Sequence, residues 1–175
     1  MFERVGRELV YEGSILNMYK DSIKVSDGKI AKWDFIGHHG AAAVLPVTAE
    51  GKIIMVRQYR NAIDRESLEI PAGGLNPKES TKDAAVRELE EETGYVCGHV
   101  ELLLSTVPAI AYSSEVIDIY LATQLTHTAQ HLDEDEVVEV EEYTVEELCE
   151  MIYSCKIQDS KTIAAVLAYK DKYCH

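Results

Sequence analysis

The apolar positions of this chain fall into two rhythms. Gly40 to Val47, reading GAAAVLPV, is an unbroken apolar run of a length that suits a strand covered on both faces. Lys52 to Tyr59 follows after a Glu50-Gly51 turn, and the two are expected at the centre of a sheet. His99 to Val107 and Val116 to Ala122 read as further strands, and Val138 and Val140 alternate with acidic neighbours along another. Ahead of these, residues 7 to 36 hold short strands, with an Asp27-Gly28 turn between Asn17–Val25 and Lys29–Ile36, which predicts a β hairpin or small sheet. Three stretches show helical spacing instead: Thr81 to Thr93, Thr144 to Tyr153 and Asp159 to Tyr173. The last two read as helices that cover the core, with Ile163, Val166 and Leu167 on one face and no functional work expected of them. Strands and helices mixed in this way predict an α/β or α+β fold, and 175 residues suffice for one domain with a full core.

The helix from Thr81 conflicts with itself. Ser80 is placed as N-cap with Asp83 three residues on, and Gly94 stands where a left-handed residue closes a helix. At about 100° per residue, Glu88, Glu91 and Glu92 share one arc beside an apolar stripe of Ala85, Val86 and Leu89. Like charges at these spacings each cost a few tenths of a kcal/mol, and anions in a last turn oppose the helix dipole. A solvated acidic face is the common fate of such a run. A hard divalent cation bound by clustered carboxylates removes the conflict, and Mg²⁺ or Mn²⁺ fits oxygen donors best.

Composition narrows the partners. Acidic residues outnumber basic ones 31 to 17, and a net charge of −14 argues against broad binding to nucleic acid or anionic membrane. A small anionic ligand carried with metal remains compatible with that charge if cations and a few placed arginines neutralise it locally. The charged N-terminus lacks the apolar core of a signal peptide and no run approaches a membrane span, so the expected location is the cytoplasm. Cys97, Cys149, Cys155 and Cys174 have no metal-site spacing, and free thiols are expected.

From Gly73 the chain runs five residues to Glu79, seven more, then Arg87-Glu88-Leu89-Glu90-Glu91-Glu92-Thr93-Gly94-Tyr95. This resembles the Nudix box, with Tyr95 at a position that is usually aliphatic. The resemblance implies the Nudix fold over most of the chain, a mixed β-sheet between helices, with residues 1–39 as an N-terminal β extension and 40–175 as the hydrolase domain. It implies that Glu88, Glu91 and Glu92 ligate metal, with the Ala72 carbonyl a further ligand, and that Arg87 orients a glutamate. Gly73 and Gly74 suit a close approach of backbone to metal and phosphate.

The segment Arg57-Gln58-Tyr59-Arg60, followed by Leu68-Glu69-Ile70-Pro71-Ala72-Gly73, resembles the ADP-ribose pyrophosphatases within that family. By that likeness Arg60 binds a substrate phosphate, where a surface salt bridge is the ordinary alternative, and Glu69 supports the loop. The subfamily exchanges its N-terminal sheet between the subunits of a homodimer, which makes Trp33 a candidate for the adenine; a core or interface aromatic is the other reading. The loop Pro108 to Glu115 is expected over the site, with Tyr112 near a position where diadenosine polyphosphate hydrolases carry a tyrosine. The acidic stretch Leu132 to Val138 corresponds to a loop that supplies the carboxylate for the attacking water, with Glu136 first and Glu134 second. The implied activity is metal-dependent hydrolysis of a nucleoside diphosphate derivative, ADP-ribose before all, to AMP and ribose 5-phosphate. A nucleotide sugar or a dinucleoside polyphosphate is the alternative substrate, and a nucleotide sensor that does not cleave, or an acidic interaction domain, the alternatives of another kind.

Overall fold

The computed structural model describes residues 1–132 and 137–174. Its elements, in chain order, are β1 (Glu3–Glu12), β2 (Leu16–Lys24), β3 (Ile30–His38), β4 (Ala41–Pro46), β5 (Ile53–Arg60), β6 (Arg65–Glu69), β7 (Ala72–Gly74), α1 (Thr81–Thr93), β8 (Tyr95–Thr106), β9 (Ile117–His127), β10 (Val138–Tyr143), α2 (Val145–Tyr153) and α3 (Ser160–Tyr173). The chain divides into two compact units, one of residues 1–40 with 107–116 and the other of residues 41–106 with 117–175. Among the described residues no helix is long and apolar enough to cross a membrane.

The first unit holds an antiparallel sheet in the order β1-β2-β3. Register puts Tyr19 opposite Phe35 and Asp21 opposite Trp33, so these four share a face. Arg7 ties that face together, with its guanidinium over the Phe35 ring and its Nε and Nη2 donating to the two Asp21 oxygens at 2.7 Å. Phe2 packs against Trp33 with ring centroids 5.8 Å apart. Phe2, Val5, Leu9, Val10, Tyr11 and Trp33 remain exposed.

The second unit is built on β4. Its neighbours are β7, antiparallel, and β9, parallel, in a four-stranded sheet of order β7-β4-β9-β8; a second sheet has the order β10-β5-β6. All six residues of β4 are buried, and alternation sends them into two cores. Ala42 and Val44 join Ala84, Ala85 and Leu89 of α1, while Ala41, Ala43 and Leu45 join residues of α2 and α3. The unbroken apolar run expected from the sequence is therefore a strand between two helical layers. Ala42, small and on the face towards α1, packs against Ala84, Ala85 and Leu89 of that helix.

Two differences from the sequence reading bear on the site. The glycine pair Gly73-Gly74 ahead of the helix reads from sequence as part of a turn, yet Ala72–Gly74 is a strand, paired Ala41 to Gly74, Ala42 to Gly73 and Ala43 to Ala72. Nothing in Ala-Gly-Gly favours a strand; the free edge of β4 imposes it. Strand β8 starts at Tyr95 instead of near His99, because Gly94 ends α1 and turns the chain straight into the sheet. Gly94 has φ +70°, and its N–H donates to the Glu90 carbonyl at 2.8 Å.

The substitution Gly94→Ala combines backbone strain with a clash, since the added Cβ would lie 2.9 Å from the Gln130 backbone nitrogen. Gly51→Ala, at φ +80° with open space around the new carbon, carries the strain alone. In urea titrations Gly51→Ala is expected to cost about 1–2 kcal/mol and Gly94→Ala measurably more. Equal losses would show that the contact with Gln130 relaxes freely.

Candidate active site

The first turn of α1 is fixed as its residues dictate: the Ser80 hydroxyl accepts the Asp83 N–H at 3.1 Å. Thr81 adds a tertiary anchor, its hydroxyl donating to Asp118 at 2.8 Å. Leu89, fully buried, sets the rotation of the helix, and this draws Glu88 and Glu92 into the interior beside it. Glu91 stays partly exposed. Two carboxylates are thus held where desolvation penalises charge, which cations and polar hydrogens must offset.

Arg87 supplies the nearest of these. Its Nε and Nη2 donate to the two oxygens of Glu79 at 2.8 and 3.0 Å, and its Nη1 donates to Glu88 at 2.6 Å and to Glu91 at 2.7 Å. Nη2 also reaches the Gly74 carbonyl at 3.1 Å. The guanidinium pKa is pushed well above its ordinary value, first by the bonds to Glu79 and against the effect of burial, with Glu91 and Glu88 adding to the rise. Glu79 is held down to about 2, mainly by Arg87.

The loop ahead of the helix is pinned group by group. Ile70 N–H donates to Thr162 Oγ1 at 2.9 Å, the Pro71 carbonyl accepts from Val44 N–H at 2.9 Å, and Ala72 N–H donates to Glu92 Oε2 at 3.0 Å. Asn76 N–H donates to Glu79 at 2.9 Å. Gly73 has a steric reason to be glycine: a Cβ there would stand 1.9 Å from Glu88 Oε1. The space that a side chain would fill holds the Glu88 carboxylate.

The donor set suits a hard divalent cation. Glu88, Glu91 and Glu92 offer carboxylate oxygens and Ala72 a backbone carbonyl, all oxygen ligands of the kind that Mg²⁺ and Mn²⁺ prefer. Among the described residues no three acidic, imidazole or thiol groups converge closely enough to hold an ion as they stand, and Arg87 bridges Glu88 and Glu91.

Arg60 lies at the end of β5, and its Nε and Nη2 donate to Glu69 Oε1 and Oε2 at 2.9 and 2.8 Å. Its pKa is raised, chiefly by those bonds, with Glu92 contributing through space. Arg60 therefore stands in the field of the carboxylate helix. Glu69 also accepts from Lys161 Nζ at 2.5 Å. Burial alone would push the Glu69 carboxyl up; the bonds from Arg60 and the charge of Lys161 outweigh it and bring the value down to about 2.

Sequence reasoning missed Lys161 and Thr162 here, since they lie 92 positions from their partners. The one local signal was Asp159 as the N-cap of α3, and its Oδ2 does accept the Thr162 N–H at 3.0 Å. Missed as well was a strap behind α1: His131 N–H donates to the Glu91 carbonyl at 3.0 Å, Gln130 Nε2 to the Glu92 carbonyl at 2.6 Å, and Thr128 N–H to the Gly94 carbonyl at 2.6 Å. These satisfy carbonyls that a helix end leaves without partners. Trp33 and Tyr112 belong to the first unit, where Trp33 is half exposed on β3 and the Tyr112 carbonyl accepts from Ile36 N–H at 2.7 Å. Glu134 and Glu136 lie outside the described residues.

A family profile described as NUDIX domain matches residues 37–166. The "ADP-ribose pyrophosphatase" of Bacillus subtilis is 37% identical, with 93% of this chain and 89% of that protein covered. The "Methanol dehydrogenase activator" of Bacillus methanolicus is 39% identical over 91% of this chain and 87% of its own length. An "ADP-ribose pyrophosphatase" of Mycobacterium tuberculosis is 31% identical over 95% and 82%. Among solved structures, one described as "Crystal structure of ADP compounds hydrolase" superposes with a TM-score of 0.85 over 97% of this chain and 92% of that one; at 19% identity it shows the shared fold.

Because the folded Glu69 pKa lies below its ordinary 4.5, the unfolded chain binds more protons than the folded one between those values. The stabilisation is complete above pH 4.5 and is lost as pH falls towards 2. Its size is on the order of 3 kcal/mol. Unfolding titrations across that window are expected to show stability falling with acid, and Glu69→Gln to remove about one proton from the slope. An unchanged slope would mean that the carboxyl is not depressed.

Proposed function

The chain belongs to the NUDIX family as a pyrophosphohydrolase, and on that premise we propose that it hydrolyses ADP-ribose to AMP and ribose 5-phosphate with a divalent cation. The observation that carries this is the seating of the Glu88 carboxylate in the space above Gly73, with Arg87 drawing Glu79, Glu88 and Glu91 together. The names of the Bacillus subtilis and Mycobacterium tuberculosis relatives support the choice of substrate.

Glu88, Glu91, Glu92 and the Ala72 carbonyl are the groups that would hold Mg²⁺ or Mn²⁺. When bound, the cation supplies positive charge against the diphosphate and against the charge that develops during phosphoryl transfer. The protein's own part is positioning. Arg87 keeps three carboxylates from repelling one another apart, and the pinned backbone from Ile70 to Asn76 holds the Ala72 carbonyl in register with them. Arg60 takes a phosphate oxygen. A carboxylate of the acidic segment, Glu136 first and Glu134 second, accepts the proton of a water that attacks phosphorus while the bond to the bridging oxygen breaks. Trp33 is the candidate for the adenine and Tyr112 a further substrate contact.

A homodimer paired through the N-terminal sheet accords with the exposed Phe2, Val5, Leu9 and Trp33. In sedimentation the wild type is expected at twice the 19.6 kDa chain mass, with Leu9→Glu shifting it towards the monomer. A wild-type monomer at micromolar concentration would end this part of the proposal.

Turnover of ADP-ribose, nucleotide sugars and diadenosine polyphosphates with Mg²⁺ or Mn²⁺ tests the rest. ADP-ribose is expected to give the highest kcat/KM, and Glu91→Gln and Glu92→Gln to lower kcat by at least about a hundredfold. A better substrate elsewhere in the panel would keep the chemistry and reassign the specificity. Nucleotide binding without cleavage would make the protein a sensor.

A further inference from the structure

The first turn of α3 places a lysine where few lysines are found. Lys161 is buried, and an ammonium without partners at such a place would cost several kcal/mol. Its Nζ donates to Glu69 Oε2 at 2.5 Å and to Asp159 Oδ2 at 3.0 Å. Anchoring α3 does not require this charge. Asp159 already caps the helix, and Thr162 Oγ1 already bonds the Ile70 N–H of the loop.

The arrangement around Glu69 is informative. Oε2 accepts from both Arg60 Nη2 and Lys161 Nζ, so one carboxylate serves two cations. Arg60 commits Nε and Nη2 to Glu69 while its side chain stays 39% exposed. A guanidinium paired with a carboxylate of its own has little net charge left for a third group. Counting Arg60 and Lys161 against Glu69 and Asp159, the cluster is neutral; without Lys161 it carries −1 next to an acidic helix.

We propose that Lys161 is a positioning residue for the diphosphate: by sharing Glu69 it leaves the Arg60 guanidinium an effective cation towards a substrate phosphate. The proposal rests on the reading of the chain as a diphosphate hydrolase, with Arg60 at a phosphate. It assigns work to a C-terminal helix for which the sequence predicted none.

The test is a double-mutant cycle on the full chain. Lys161→Met is expected to raise KM for ADP-ribose roughly tenfold with kcat within about threefold, and Lys161→Arg to stay near wild type. Glu69→Gln/Lys161→Met removes the carboxylate as well and is expected to bring KM back towards wild type, a recovery that a merely structural lysine would not show. Calorimetric titration with ADP and Mg²⁺ gives the same comparison without turnover. Should the wild type cleave nothing while ADP affinity still falls and recovers, the proposal stands and the enzymatic reading falls. If Lys161→Met does not fold, Glu69→Gln is compared with Glu69→Gln/Lys161→Met, whose KM values are expected within about threefold of each other. A double variant worse than Lys161→Met, or a Lys161→Met protein that binds as wild type, overturns the proposal.

Discussion

The guanidinium of Arg87 is the contact on which the site depends. A chain of net charge −14 folds a helix with three carboxylates on one arc, two of them buried, and such an arrangement repels itself unless a cation lies within it. Arg87 provides one from the same helix, where a planar fork reaches an acid four residues on, the neighbouring acid and, across the loop, Glu79. Lysine, a point charge with a single nitrogen, could not bond all of them with the Gly74 carbonyl at once. The loop and the helix are thereby one object, held by charge on one side and by the apolar stripe of Ala84, Ala85 and Leu89 on the other.

A second cation pair repeats the solution from outside the helix. Arg60 and Lys161 converge on Glu69, which immediately precedes the loop, so β5, β6 and the start of α3 are joined at one carboxylate. Both clusters let charged groups sit in or near the interior by giving them hydrogen-bond partners: Arg87 bonds Glu79, Glu88 and Glu91, the Ala72 N–H bonds Glu92, and Arg60 and Lys161 bond Glu69. They also couple the core to acidity, since each rests on a carboxyl held near 2.

Much of this was legible in the sequence where a residue's role depends on its neighbours. The cap at Ser80, the αL stop at Gly94 and the buried character of β4 follow from local pattern, and each stands in the structure. The arc of Glu88, Glu91 and Glu92 was legible too, since helical geometry fixes it. What was not legible depends on distant partners. Ala72–Gly74 is a strand only because β4 offers an edge, and no periodicity announces Lys161 or Gln130, whose partners come from other elements. Arg60 is expected at a phosphate from the sequence, and its bidentate bond to Glu69 could not be inferred without the pairing of β5 with β6, in which Glu69 faces Val56 and Arg60 faces Arg65. Glu134 and Glu136 lie outside the described residues.

The strap of Thr128, Gln130 and His131 fastens more than the helix end. Gln130 Nε2 donates to the Glu92 carbonyl and, at 3.3 Å, to the Val138 carbonyl, so the chain entering the acidic segment and the chain leaving it are both fastened at the end of α1. The end of α1 is therefore a post to which two distant stretches of chain are tied, and a change at Gln130 would loosen both at once.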